Sequence, residues 1–278
     1  MINKRKAIIV GLSSLKLKKN EKNFLKKYKP WGVILFTRNI SSIDQSKKLV
    51  YDIKKCFKDS NYPILIDEEG GSVSRLKKII DTKIFSSRYF LNLYKKDKDK
   101  FILYYKIYID SVSSILNEIG ININTVPVLD VIRKKTNKVI GDRSFASDPR
   151  LVSLLGNKCI ALYKTNKVAC VIKHIPGHGL ATLDSHNKTP VVNEKKKILN
   201  NLDFYPFNNK KVFFAMTSHI IYSAIDSVYT TTHSKIIIKN IIRKKLNFKN
   251  ILISDDISMK SLNFTFKENI ERAFNAGC

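Results

Sequence analysis

The chain has little of what holds small secreted folds together. Four cysteines (Cys56, Cys159, Cys170 and Cys278) are scattered through 278 residues with no C-x-x-C spacing. That pattern excludes a disulfide framework and a cysteine metal cluster, and it points to a reducing compartment. No apolar run is long enough to cross a bilayer. Lys4-Arg5-Lys6 precedes Ala7-Ile8-Ile9-Val10, but that stretch is short. Lys16, Lys18 and Lys19 then stand where a secretory cleavage site requires small residues. The chain is therefore expected to be cytoplasmic, with this first apolar stretch a strand. Internal repeats, low-complexity linkers and compositional breaks are also missing, so residues 1–278 read as a single domain.

Acidic residues are scarce as well: 23, against 51 Lys and Arg, for a net charge of +28. Such an excess ordinarily argues for a polyanionic partner. Here 42 of the basic residues are lysines dispersed along the whole chain, beside 37 isoleucines and only 10 glycines. Lys, Ile, Asn, Tyr and Phe are the residues of AT-rich codons, and a dispersed charge defines no footprint. No specific nucleic-acid partner is expected, only non-specific adhesion at low salt.

What is present is a regular alternation. Short β-branched runs at Ile8–Leu12, Trp31–Phe36, Ile64–Asp67, Ile121–Val128, Val168–Lys173, Val212–Thr217 and Ile251–Asp255 read as strands. Several are apolar throughout, as parallel strands covered on both faces are. Helical spacing separates them. One helix starts near Ser42 and turns Ile43, Leu49, Val50, Ile53 and Phe57 inward. Another runs from Lys98 to Glu118 with Phe101, Ile102, Tyr105, Ile109, Val112, Leu116 and Ile119 on its apolar face. A third starts at Asp148-Pro149 and buries Leu151, Leu154, Leu155 and Leu162, and a fourth spans Ser234 to Leu246. Strands alternating with helices in this number predict an α/β fold, a TIM-type (β/α) barrel.

Almost every strand ends in polar residues, and the densest group is Lys173-His174-Ile175-Pro176-Gly177-His178-Gly179, followed by Asp184-Ser185-His186. Pro176, Gly177 and Gly179 exclude a helix, so a strand runs into a loop there. Other strand ends carry Thr37-Arg38-Asn39, Asp67-Glu68-Glu69-Gly70-Gly71, Asp130, Gly141-Asp142-Arg143, Thr217-Ser218-His219 and Ser254-Asp255-Asp256. On one barrel these would ring a polar pocket at the carboxyl rim. Two other chemistries fit less well. A zinc site from His174, His178 and His186 lacks the helix that His-x3-His needs and a fourth ligand. A serine hydrolase using Ser185 lacks a G-x-S-x-G elbow, and three adjacent residues cannot form the relay.

These same clusters, together with Leu35-Phe36-Thr37-Arg38-Asn39 and Met216-Thr217-Ser218-His219, resemble glycoside hydrolase family 3, in family order over almost the whole chain. Within it, the Lys-His-Ile-Pro-Gly loop followed by Asp-Ser-His resembles the bacterial β-N-acetylglucosaminidases (β-hexosaminidases) of peptidoglycan recycling. The resemblance implies a retaining exo-acting hydrolase of N-acetylglucosamine-containing muropeptide fragments, needing no cofactor or metal. It implies Asp255 as nucleophile, His186 with Asp184 as acid/base, and Asp67, Arg75, Arg143, Lys173 and His174 as sugar-binding residues. Asp256 reads as a helix cap. Taken alone, Arg143 reads as an ion-pair partner of Asp142 and His174 as a satisfied core histidine. The loop placement of Asp184 and His186 implies that the pair moves in over bound sugar. A histidine acid/base would also suit a phosphorylase, since it does not repel phosphate as a carboxylate would.

Two departures lie beside Asp67: Ser72 where the family more often has arginine, and Glu68 in place of a common glutamine, both expected to bear on sugar affinity. The resemblance also implies an eighth strand and final helix beyond Cys278, so the barrel is expected to be truncated before its eighth strand. Closure by the first and seventh strands, or by a second subunit, are the alternatives. A truncated, non-catalytic sugar-binding or vestigial protein is the competing reading.

Overall fold

The computed structural model describes residues 5–186 and 188–278. Among the described residues nine strands are formed: β1 (Lys6–Gly11), β2 (Pro30–Leu35), β3 (Ile64–Ile66), β4 (Ile123–Asn124), β5 (Ala169–Ile175), β6 (Val191–Val192), β7 (Phe214–Thr217), β8 (Ile221–Tyr222) and β9 (Ile251–Ser254). Seven make one sheet in the order β1-β2-β3-β4-β5-β7-β9, parallel at every pairing, while β6 and β8 form a separate parallel pair. The helices are α1 (Lys19–Tyr28), α2 (Ile43–Phe57), α3 (Ser87–Lys96), α4 (Lys98–Ile119), α5 (Pro149–Thr165), α6 (Lys196–Asn201) and α7 (Phe266–Ala276), with a π-helical segment at Ile237–Lys245.

The sheet is rolled. Trp31 of β2 meets Phe214 of β7 with ring centroids 5.5 Å apart, although β3, β4 and β5 lie between those strands in the sheet. Because side chains alternate, each strand feeds two cores. Leu65, Ile123, Val171 and Met216 fill the barrel interior, while Ile64, Ile66, Ile172, Ala215 and Leu252 pack outward under the helices. This is why the strands read as apolar throughout.

β1 pairs only with β2, and β9 only with β7, so the first and last strands of the sheet do not close it. Among the described residues the barrel is open between them. Ile8 and Ile251 on the two edge strands are 41% and 50% exposed.

The helix starts follow local chemistry. Ser42 accepts from the Gln45 amide at 3.2 Å, and Asp148 accepts from the Arg150 amide at 2.8 Å with Pro149 in the first turn. Each cap is worth about 1 kcal/mol. Two expected core residues face outward: Ile102 is 51% exposed and Leu154 is 43% exposed. On α5 the buried line is Val152, Leu155, Cys159 and Tyr163, and at about 100° per residue Leu154 falls on the opposite side. On α4, Ile102 lies just beyond the stripe made by Phe101, Tyr105, Ile109, Val112, Leu116 and Ile119. The strand expected over Ile121–Val128 shrinks to two residues. Thr125 turns its hydroxyl to the rim, and Pro127, which follows a cis peptide bond, has no amide for the ladder.

Candidate active site

All seven parallel strands end on one rim, and the polar strand ends converge there. At its centre is a buried charge network. Lys173, at the end of β5, reaches Asp67 at 3.1 Å, Glu69 at 2.6 Å and the Thr125 hydroxyl at 2.9 Å. An ammonium has three donors, so all three are occupied. Arg143 grips Glu69 with two parallel bonds of 2.8 and 2.9 Å, and Arg75 meets Asp67 at 3.3 Å. The Thr125 hydroxyl also donates to Asp67. Burial alone would raise both carboxyls. Lys173, Thr125 and Arg75 outweigh it at Asp67 and hold that group far below the ordinary carboxylate range, while Arg143 and Lys173 hold Glu69 at about 2. Burial opposes the charge of Lys173, and the two carboxylates reverse that effect and raise its pKa.

The neighbouring His174 is fixed from behind. Its Nδ1 lies 2.7 Å from Asp130, which also accepts from the His174 amide at 3.2 Å. Asp130 is fully buried; burial would raise its carboxyl, but His174 and His178 keep it low. With Nδ1 facing a carboxylate, Nε2 points forward, 3.9 Å from the Asp255 carboxylate at the end of β9. Burial would raise Asp255 too, and His174, His219 and the Asp256 amide outweigh it, so the group is ionised below the usual carboxylate value. Its side chain is 25% exposed, against 3% for Lys173, so Asp255 faces the cleft. Asp256 is exposed and accepts from the Ser258 amide at 2.9 Å and its hydroxyl at 2.6 Å, which is turn-capping work.

Asp184 and His186 are paired at 2.8 Å, yet the His186 side chain is 60% exposed and makes no contact with Asp255 among the described residues. The loop carrying them is rooted firmly. An added Cβ on Gly179 would lie 1.9 Å from the Val131 carbonyl, so only glycine allows that approach. The Leu180 amide donates to Asp203 at 3.1 Å, and the Thr189 hydroxyl donates to the Ser261 carbonyl at 2.7 Å. Root and exit are held, and the pair sits at the tip between them.

The rim thus brings together Asp67, Arg75, Arg143, Lys173, His174 and Asp255, and leaves the Asp184–His186 pair outside. Three points differ from what the residues imply in isolation. Arg143 pairs with Glu69, whereas Asp142 accepts from the Ser72 hydroxyl at 2.6 Å, so Ser72 clamps two rim loops together. His174 is bound on one side only by the core and presents its other nitrogen to the cleft. Glu68 faces away from the rim. It accepts from the Arg75 and Leu76 amides at 2.6 and 2.9 Å and from the Ser74 and Thr82 hydroxyls at 3.1 and 3.0 Å, folding the loop that delivers Arg75. Glu69 and Asp130 stand in the strand-end clusters without an assigned role, and nothing in the sequence points to Thr125. Strand alternation is the signal that finds Glu69, because Asp67 and Glu69 share a face that Glu68 does not.

A parallel barrel with an ionised carboxylate, a core-anchored histidine and a dense charge network on its carboxyl rim is an enzyme architecture suited to polar small molecules. Residues 4–278 match the glycosyl hydrolase family 3 N terminal domain, and the chain belongs to that family. It is 31% identical over 280 residues to a β-hexosaminidase of Haemophilus influenzae, covering 98% of this chain and 77% of that protein. A β-hexosaminidase of Actinobacillus succinogenes is 32% identical, covering 98% of this chain and 78% of the relative. Among solved structures, native NagZ from Neisseria gonorrhoeae superposes with a TM-score of 0.88 at 27% identity, covering 99% of this chain and 80% of that one. The same protein in complex with N-trifluoroacetyl-D-glucosamine gives 0.87 at 28% identity. No helix among the described residues is long and apolar enough to cross a membrane.

Proposed function

We propose that the chain is a retaining exo-β-N-acetylglucosaminidase with Asp255 as nucleophile. The observation that carries this is the Asp255 carboxylate: ionised, cleft-facing, at a strand end, and 3.9 Å from a histidine anchored in the core. A strand terminus holds a short carboxylate rigidly enough for in-line attack on an anomeric carbon. The names of the β-hexosaminidase relatives, and the glucosamine derivative bound to the Neisseria protein, support the same substrate class.

In this reading Asp67 and Arg75, the more exposed members of the network, bind sugar hydroxyls directly, with Arg143, Lys173 and His174 completing the subsite. Lys173 and Glu69 set the charge and position of their neighbours, because dipoles fixed before reaction cost nothing to reorganise. Asp255 attacks the anomeric carbon as His186, oriented by Asp184, donates a proton to the leaving oxygen. The neutral imidazole then takes a proton from water, which cleaves the glycosyl–Asp255 ester. Since His186 lies at an exposed loop tip, the tip moves inward over bound sugar. We extend the substrate to muropeptide fragments in the cytoplasm, on the strength of the motif order along the chain.

The test is NMR of the first-formed product from a β-N-acetylglucosaminide, with and without phosphate. Retention predicts the β-anomer of free N-acetylglucosamine at the outset in both. An α-anomer first would overturn the nucleophile, and a phosphate-dependent sugar phosphate would show the phosphorylase.

A further inference from the structure

Two residues of the densest motif have no role in the chemistry above: His178, and Ser185 between Asp184 and His186. Ser185 is 5% exposed although His186 beside it is exposed, so the triplet is pinned at its middle. The pin is a hydrogen bond of 3.1 Å between Ser185 Oγ and Nε2 of His178. His178 is itself buried, with its ring 5.7 Å from that of His174, which in turn faces Asp255. Burial pushes His178 down to about 4, so the ring is neutral at physiological pH and its bond does not titrate there. Its Nδ1 is buried without a hydrogen-bond partner. Nε2 of His178 and the Ser185 hydroxyl share one hydrogen bond, in which either can be the donor.

We propose that His178, acting through Ser185, is a positioning device for the Asp184–His186 pair. It tethers the loop tip to the barrel wall next to the His174–Asp255 edge, so that the acid/base pair closes over the leaving-group oxygen from a short distance. Without the tether, the tip between its rooted ends samples positions from which His186 delivers no proton. The idea rests on His186 being the acid/base, and the experiment separates the two.

The measurement is kcat/KM for two β-N-acetylglucosaminides, one with a 2,4-dinitrophenolate leaving group and one with an alkoxide. A good leaving group departs without a proton, so kcat/KM on the first does not sense the acid, whereas kcat/KM on the second does. His186→Ala serves as the benchmark and should lose far more on the alkyl glycoside. Ser185→Ala should show the same split, smaller, with about a five- to tenfold loss confined to the alkyl glycoside, the worth of one neutral hydrogen bond. Ser185→Thr, which keeps the hydroxyl, should restore most of it. An equal loss on both substrates, or none on either, in Ser185→Ala would overturn the tether while His186→Ala still shows the split. If His186→Ala shows no split, the acid/base assignment itself fails, and the tether with it.

Discussion

Asp203 offers a test of how the loop root is built. Its carboxyl is fully buried; one oxygen accepts the Leu180 amide at 3.1 Å, and the other has no hydrogen-bond partner. Burial drives its pKa up from 3.8 to about 7, only partly opposed by the Leu180 amide. The folded protein therefore holds this proton over a pH range in which the unfolded chain has released it. Stability from this group is complete below about pH 4, falls as pH rises towards 7, and is flat above. A shift of about three units corresponds to a loss on the order of 4 kcal/mol across that window. Asp203→Asn removes the titration and keeps an acceptor for Leu180. Urea denaturation at pH 4, 5.5 and 8 should show the variant and the parent similar at pH 4, and the variant more stable by a few kcal/mol at pH 8. Parallel pH profiles for the two proteins would refute the argument, because they would mean that Asp203 reaches solvent or a cation in the folded state.

Other perturbations follow from the same geometry. Lys173→Met strips the shared cation from two buried carboxylates and should cost about 3–5 kcal/mol, read as a lowered urea midpoint; an unchanged midpoint would contradict the network. Gly179→Ala cannot be seated against the Val131 carbonyl and should displace the loop root, lowering kcat and melting temperature together. Because Asp255 is held below the ordinary carboxylate value, kcat/KM should keep its nucleophile down to about pH 4, and an acid limb that begins near pH 6 and persists in His186→Ala would argue against it.

The sheet was readable because strands covered on both faces leave unbroken β-branched runs, and six of the eight expected site residues lie on its rim. Four helices were not readable, for a common reason; the shortest, α6, buries only Leu199. Leu25 is the sole buried residue of α1, α3 buries only Phe90 and Leu91, and α7 buries Asn269, Ala273 and Ala276. None of these carries an apolar stripe long enough to show as a period amid so many lysines. The partners of the site were hidden differently. Glu69 meets Arg143 across 74 residues, and Asp130 meets His174 across 44, so each pairing exists only once the barrel has rolled. Exposure is likewise a tertiary property, and Ile102 and Leu154 look like core until the neighbouring elements fix which face is covered.

The central claim is that Asp255 is the nucleophile of a β-N-acetylglucosaminidase whose proton is handled by His186. The most direct test is hydrolysis of a chromogenic β-N-acetylglucosaminide by the wild-type protein beside Asp255→Ala and His186→Ala, each checked for cooperative unfolding. The account expects turnover by wild type, none measurable from Asp255→Ala, and a strongly reduced rate from His186→Ala. A folded wild-type protein with no turnover, or a folded Asp255→Ala that retains it, would contradict the account.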